Sequence, residues 1–113
     1  MISNHSPHFA IIGAGTAGLA TAILLARQNI QVSILEKASE LEPVGAGLLL
    51  QPSGLAVFEH LGLLDEVLRL GAKVTGLKGQ LPSGNLLVNS HYQQAHPDFY
   101  GVGIHRATLY VMF

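Results

Sequence analysis

Apolar and polar residues follow two different periods along the first third of the chain. Residues 8–12 (HFAII) form a short apolar run closed by glycine, which is typical of a buried parallel strand. Residues 16–28 carry apolar side chains almost all round a helix, which predicts a helix buried on more than one side. Asn29 then stands where a left-handed residue ends a helix, and residues 30–35 (IQVSIL) predict a second strand. The pattern therefore predicts a βαβ unit.

Two short helices are predicted beyond a polar turn at residues 38–44. Pro52 opens the first, over residues 53–61, and Gly62 ends it, because proline is favoured at a helix start and glycine breaks the helical pattern. The second covers residues 63–70. The side chains expected to face inward from this second helix are Leu64, Val67 and Leu68.

The remaining residues predict strands and the start of another helix. Residues 72–80 and 85–92 are expected to be strands, joined by hairpin chemistry at residues 82–85 (PSGN). A polar loop follows, and an apolar tail over residues 107–113 predicts a helix.

A glycine motif with the spacing G-x-G-x-x-G lies between the first strand and the helix. The first glycine permits a tight turn, the second leaves room for a pyrophosphate, and the third lets the helix pack closely on the strand. The phosphates would meet backbone N–H groups and the positive end of the helix dipole. The candidate cofactor-binding residues of this turn are Gly13, Ala14, Gly15, Thr16, Ala17 and Gly18.

An acid closes the second strand. Glu36 follows Gly13 by 23 residues, close to the interval at which a carboxylate accepts hydrogen bonds from ribose hydroxyls. An acid here also repels a 2′-phosphate, which disfavours NADP at this site. A solvated strand-end charge is the alternative interpretation, but the agreement of strand, turn, helix and acid favours a site for an ADP-containing cofactor.

Composition narrows the possible classes. Apolar residues make up 49% of the chain and charged residues 12%, with a net charge of −1, so no charge excess points to nucleic acid. The absence of cysteine excludes disulfides and thiolate chemistry. The six histidines show no third ligand at convincing metal spacing, so no metal site is expected.

Residues 9–26 lack any charge and must be tested as a membrane span or export signal. Glycines interrupt the first half of this run, and no Lys or Arg precedes Arg27, which disfavours both interpretations. A cytoplasmic protein without a membrane span is therefore expected.

Three stretches, in this order, resemble the N-terminal part of FAD-dependent aromatic-ring monooxygenases of the para-hydroxybenzoate and salicylate hydroxylase type. The stretches are residues 11–20 with 35–37, residues 45–52 with 61–65, and residues 103–109. The resemblance implies an α/β fold, with a Rossmann-like FAD-binding βαβ unit and the beginning of a mixed-sheet substrate domain. It divides the chain into an FAD/dinucleotide-binding part (1–70), the start of substrate-domain strands (71–102) and the start of a helix returning to the first part (103–113). It also implies FAD as cofactor, NADH or NADPH as transient electron donor, and O₂ and a small aromatic or related substrate as partners.

The same resemblance assigns roles to particular residues. Glu36 would bind the adenosine ribose of FAD, with Lys37 beside it among the cofactor-binding residues. Gly47 would pass close to the flavin end, and Arg106 would lie near the diphosphate and ribityl region. The chain departs from its relatives at residues 43–44 (PV), where they often carry an arginine that contacts the flavin. The sequence identifies no catalytic acid or base and no oligomeric state.

Members of that family are several times longer and carry further cofactor motifs downstream. We therefore expect this chain to be a truncated fragment of a larger two-domain protein. Three alternatives stay open: another FAD-dependent oxidoreductase, an NAD-dependent dehydrogenase with its cofactor in the same turn, and an inactive fragment that binds no cofactor alone.

Overall fold

The first part of the structure is a βαβ unit, as the sequence predicts. The computed structural model describes residues 6–40, 45 and 47–113. Its first three elements are β1 (His8–Ile12), α1 (Thr16–Arg27) and β2 (Gln31–Leu35). The two strands pair in parallel, from His8 opposite Gln31 to Ile12 opposite Leu35. Asn29 has the expected left-handed backbone (φ 59°), while the helix and the second strand are each one residue shorter than predicted at this loop.

A second sheet carries the main hydrophobic core. Its three antiparallel strands run in the order β3 (Gly47–Leu50), β7 (Gly101–His105) and β4 (Ala72–Val74), with helices packed around them. The central strand contributes Val102 and Ile104, and the helices contribute Leu55, Phe58 and Leu109 to the same buried cluster. The helices are α2 (Pro52–Leu61), α3 (Leu64–Leu70) and α4 (Arg106–Met112).

The single strand predicted over residues 72–80 is wrong, because this segment serves two sheets. β4 ends at Val74, and β5 (Gly76–Gln80) pairs instead with β6 (Leu86–His91) in a separate antiparallel hairpin. The break lies where the chain leaves β7 and approaches β6 closely: a Cβ at residue 76 would lie 2.6 Å from the Ser90 carbonyl oxygen. The hairpin itself is confirmed.

Two other details of the prediction need correction. Residues 103–105, expected to lead into a helix, belong to β7, and α4 begins only at Arg106. Leu68 is 39% exposed, whereas Val67 is fully buried. Neighbouring helical positions are about 100° apart, so the stripe that faces the core passes through Val67 and leaves Leu68 on its outer edge.

Arg27, in the last turn of α1, joins the βαβ unit to α2. Its Nη2 donates a hydrogen bond of 2.7 Å to the carbonyl oxygen of Leu61, and its Nη1 donates one of 3.4 Å to that of His60. These carbonyls lie in the last turn of α2, which is the negative end of that helix. The cation therefore caps α2 across the junction.

Among the helices that the structure describes, none has the length and apolar character needed to cross a bilayer.

Arg27→Ala is expected to lower the free energy of unfolding by about 1 kcal/mol, since it removes a charged donor from the end of α2. Urea denaturation followed by circular dichroism measures this change. Arg69→Ala is the matched control. Among the ion pairs found in the described residues, Arg69 takes part only in the one with Glu66, which lies on the same helix. The control should lose less stability, and an equal loss in both variants would contradict the capping role.

Candidate functional site

The glycine turn connects β1 to α1 and brings the start of the helix unusually close to the end of the strand. Gly13 adopts a left-handed backbone (φ 103°), and its N–H donates a 2.7 Å hydrogen bond to the Leu35 carbonyl oxygen at the end of β2. A Cβ at Gly18 would overlap the carbonyl oxygen of Gly13 and would lie 3.3 Å from Cγ2 of Ile11. The tight turn expected at Gly13 and the close helix packing expected at Gly18 are both confirmed.

Open space lies above the second glycine of the motif. Apart from its two chain neighbours, no atom of the described residues comes within 4 Å of the position that a Cβ on Gly15 would take. Gly15 precedes the first turn of α1, has an extended backbone, and contributes no side-chain cap. The first N–H groups of a helix have no intrahelical partner, and this first turn holds no acidic residue. The arrangement therefore suits an anion placed against Gly15, Thr16 and Ala17.

Glu36 turns back onto the glycine turn. Its Oε2 accepts a 2.6 Å hydrogen bond from the Ala14 N–H, and its Oε1 accepts a 3.1 Å hydrogen bond from the Ala38 N–H. These donors, the Ala14 N–H first, hold the pKa of the Glu36 carboxyl below its ordinary value of 4.5, and the Lys37 charge acts in the same direction. Glu36 is therefore hydrogen-bonded to the glycine turn through one oxygen and to the following loop through the other, while its side chain stays partly exposed.

The lowered pKa of Glu36 predicts a pH dependence of stability. A carboxyl whose pKa is lower in the folded state stabilises the fold above its unfolded pKa, near 4.5, and this contribution is lost as pH falls through the folded pKa. We expect the wild-type chain to lose stability over that acidic range and Glu36→Gln to lose less. Urea midpoints measured between pH 3 and pH 7 would show this (roughly the range of carboxyl titration), and parallel curves for the two proteins would contradict it.

A second cluster forms where β3 begins and α4 begins. Gly47 pairs with His105, the residue before α4, and a Cβ at Gly47 would lie 3.2 Å from the Ile104 carbonyl oxygen. Arg106 is the first residue of α4, and its Nη1 lies 4.0 Å from the Cβ position of Gly45, which has a left-handed backbone (φ 101°). The structure thus brings together Arg106 and the glycines of residues 45–47. The departure noted at Pro43 and Val44 lies outside the described residues.

Sequence reasoning missed the contacts that hold these segments in place. The Tyr92 hydroxyl donates a 2.7 Å hydrogen bond to Oε1 of Gln51, which connects the base of the β5–β6 hairpin to the residue before α2. The Tyr92 hydroxyl also lies 2.7 Å from the Cβ position of Gly101 in β7. No periodicity marks such a pair, because the two side chains are far apart in sequence. The Ala14 and Ala38 N–H donors to Glu36 were missed because every residue type except proline carries that group.

Comparison with known proteins agrees with this geometry. The chain is 37% identical over 105 residues to 3-hydroxybenzoate 6-hydroxylase of Klebsiella oxytoca, covering 88% of this chain and 26% of the relative. Among solved structures, 2-methyl-3-hydroxypyridine-5-carboxylic acid oxygenase superposes with a TM-score of 0.78 at 28% identity, over 94% of this chain and 27% of that one. PqsL of P. aeruginosa, solved with 2-aminobenzoylacetate, gives a TM-score of 0.76 at 31% identity, over 94% of this chain and 30% of that one.

The chain spans about a quarter or less of the length of the curated relatives it matches. The βαβ unit, the glycine turn and the Arg106 cluster all lie within this shared region. The resemblance to the N-terminal part of FAD-dependent aromatic hydroxylases is therefore confirmed, and so is the mixed α/β fold. The profile of the FAD binding domain family matches residues 8–111, and the chain belongs to that family.

Proposed function

We propose that this chain forms the FAD-binding portion of a flavin-dependent monooxygenase that hydroxylates a small aromatic or related substrate with NADH or NADPH and O₂. The observation that carries the proposal is the pairing of two clusters in one short chain. The glycine turn with Glu36 suits the ADP half of a dinucleotide, and the glycines beside Arg106 suit its other half. An NAD-dependent dehydrogenase would use the first cluster and leave the second without a role.

The residues present fit the ADP half of FAD. Gly15 leaves space for a pyrophosphate, and the adjoining start of α1 offers backbone donors and a positive dipole end. Glu36 accepts two hydrogen bonds from the chain, and a carboxylate has about four acceptor sites in all. The remaining sites match the two hydroxyls of an adenosine ribose. Lys37 supports this part of the site as a nearby positive charge.

Arg106 and Gly47 fit the other half of the cofactor. A guanidinium is permanently charged and presents several donors in a fork, which matches a diphosphate or ribityl oxygens. Its position at the start of α4 is unfavourable for the helix dipole, so a bound anion would offset that cost. The backbone is exposed at Gly45 and Gly47, which allows a flat ring to approach it, while the missing side chain of Gly47 allows its close contact with the Ile104 carbonyl oxygen.

When bound, FAD supplies the redox chemistry, and the chain contributes binding, orientation and exclusion of water. The residues described include no assigned catalytic acid or base. Hydroxylation, the electron donor and a cytoplasmic location are parts of this proposal. So is the division into a dinucleotide-binding part (1–70), substrate-domain strands (71–102) and a returning helix (103–113). Relatives named as hydroxylases and oxygenases of aromatic acids support it.

Calorimetric titration of the purified chain with ADP, FAD and NAD tests the proposal. We expect FAD to bind more tightly than NAD. Arg106→Ala should weaken FAD by about tenfold, the size of one charged hydrogen bond, and should leave ADP binding nearly unchanged. Lys78→Ala, in the β5–β6 hairpin, is the matched control. Tighter binding of NAD would support the dehydrogenase instead, and no binding of any ligand would support a fragment that holds no cofactor alone.

A further inference from the structure

We infer that Glu36 is a positioning residue as well as a ribose ligand: its carboxylate holds the Gly13–Ala14 peptide in the orientation that nucleotide binding needs, before any nucleotide is present. The inference rests on the proposed function, because the turn it fixes is the proposed ADP site. It adds a task that a ribose ligand alone does not have. It also accounts for the hydrogen bond between the carboxylate and the Ala14 N–H.

The Gly13–Ala14 peptide is held from both sides. Its N–H, on Ala14, donates to Oε2 of Glu36, and its carbonyl oxygen, on Gly13, lies against Gly18 on α1. Gly13 has a left-handed backbone, and glycine tolerates many other conformations, so the local sequence alone does not fix this peptide. The contact with Gly18 restricts the carbonyl, and Glu36 restricts the N–H.

Burial makes the hydrogen bond from Ala14 important. Ala14 is only 5% exposed, so loss of its acceptor would leave a backbone N–H with little access to water. We expect the peptide to rotate so that this N–H finds water or another acceptor, and such a rotation would also move Gly15 and the start of α1. Removal of Glu36 should therefore disturb the phosphate side of the site, although Glu36 itself would touch only the ribose.

Acceptor capacity explains why this residue is a glutamate. The carboxylate gives one oxygen to Ala14 and the other to Ala38, and each oxygen keeps a second acceptor site for a ribose hydroxyl. Glutamine has one acceptor oxygen, so it can serve Ala14 but cannot serve Ala38 and both hydroxyls as well. Glu36→Gln should therefore keep the turn in place and lose ribose affinity, whereas Glu36→Ala should lose both.

The first experiment uses the ligand-free chain. Amide hydrogen exchange by NMR should show the Ala14 N–H exchanging about tenfold faster in Glu36→Ala than in wild type, with Glu36→Gln close to wild type. Glu40→Ala, which removes another acid from the same loop, is the control. If Glu36→Ala does not fold, a pH titration of wild type replaces it, and the Ala14 amide shift should follow the Glu36 carboxyl. Unchanged Ala14 exchange, or an amide shift independent of the carboxyl, would overturn the inference.

The second experiment separates the two tasks with ADP and 2′,3′-dideoxy-ADP, which lacks the ribose hydroxyls. A ribose ligand alone predicts that Glu36→Ala weakens ADP and leaves dideoxy-ADP unchanged, and that result would overturn the inference. We expect Glu36→Ala to weaken dideoxy-ADP as well, by about fivefold, and Glu36→Gln to restore it. If wild type binds neither nucleotide, the proposed function fails, while the exchange experiment still decides whether Glu36 holds the turn.

Discussion

Gly18→Ala is expected to lower the free energy of unfolding by about 3 kcal/mol, the upper part of the range for overpacking a well-packed site. The added Cβ would overlap the Gly13 carbonyl oxygen and press on Ile11, so α1 would have to move away from β1. Alanine has a better helix propensity than glycine by about 1 kcal/mol, which acts in the opposite direction. A net loss would therefore show that the helix–strand contact outweighs the local preference. Urea denaturation followed by circular dichroism measures it.

Gly54→Ala is the matched control, since Gly54 is also a glycine within a helix. A Cβ there would lie 4.0 Å from Cδ2 of Leu50, which is ordinary van der Waals contact. This variant should be as stable as wild type or up to about 1 kcal/mol more stable, because only the propensity term remains. The expectation for Gly18 fails if both alanine variants gain stability.

The βαβ unit could be predicted because its signals are local. A short apolar run, a glycine motif and a β-branched run each mark their own element, and the bounds agree within one residue. The segment from 72 to 105 depends on pairing partners that are distant in the sequence. The sequence predicts β4 and β5 as one strand, because nothing in residues 72–80 indicates that the first half pairs with β7 and the second half with β6. Tertiary pairing, and not propensity, places the break.

In the candidate site, too, the residues could be predicted from the sequence but some of their tertiary contacts could not. The spacing from Gly13 predicted Glu36, and the resemblance pointed to Arg106 and Gly47, which the structure places in one cluster. The contact between Glu36 and the Ala14 N–H could not be foreseen, because it depends on the direction in which the side chain leaves β2. Arg27 is a similar case, since its carbonyl partners at the end of α2 carry no signature in the sequence.

Gly15→Ala is expected to separate binding from folding. Beyond the two neighbouring residues, an added Cβ meets no atom within 4 Å in the part of the chain that the structure describes, and the φ of −75° at this residue is open to alanine. Alanine is a poorer helix cap than glycine but reduces the freedom of the unfolded chain, and these effects roughly cancel to within about 0.5 kcal/mol. The space taken by the methyl group is the space proposed for the pyrophosphate. ADP affinity should therefore fall by at least about tenfold while stability stays near that of wild type.

Adenosine is the control ligand for Gly15→Ala, because it carries the ribose and no phosphate. Its affinity for wild type and for the variant should be equal if Gly15 faces the pyrophosphate and Glu36 faces the ribose. Equal losses for ADP and adenosine would mean that the methyl group disturbs the whole turn. An unchanged ADP affinity would mean that the phosphates do not pass over Gly15. If Gly18→Ala weakens the fold and Gly15→Ala does not, the two variants together assign different tasks to two glycines of the motif: helix packing to Gly18 and ligand approach to Gly15.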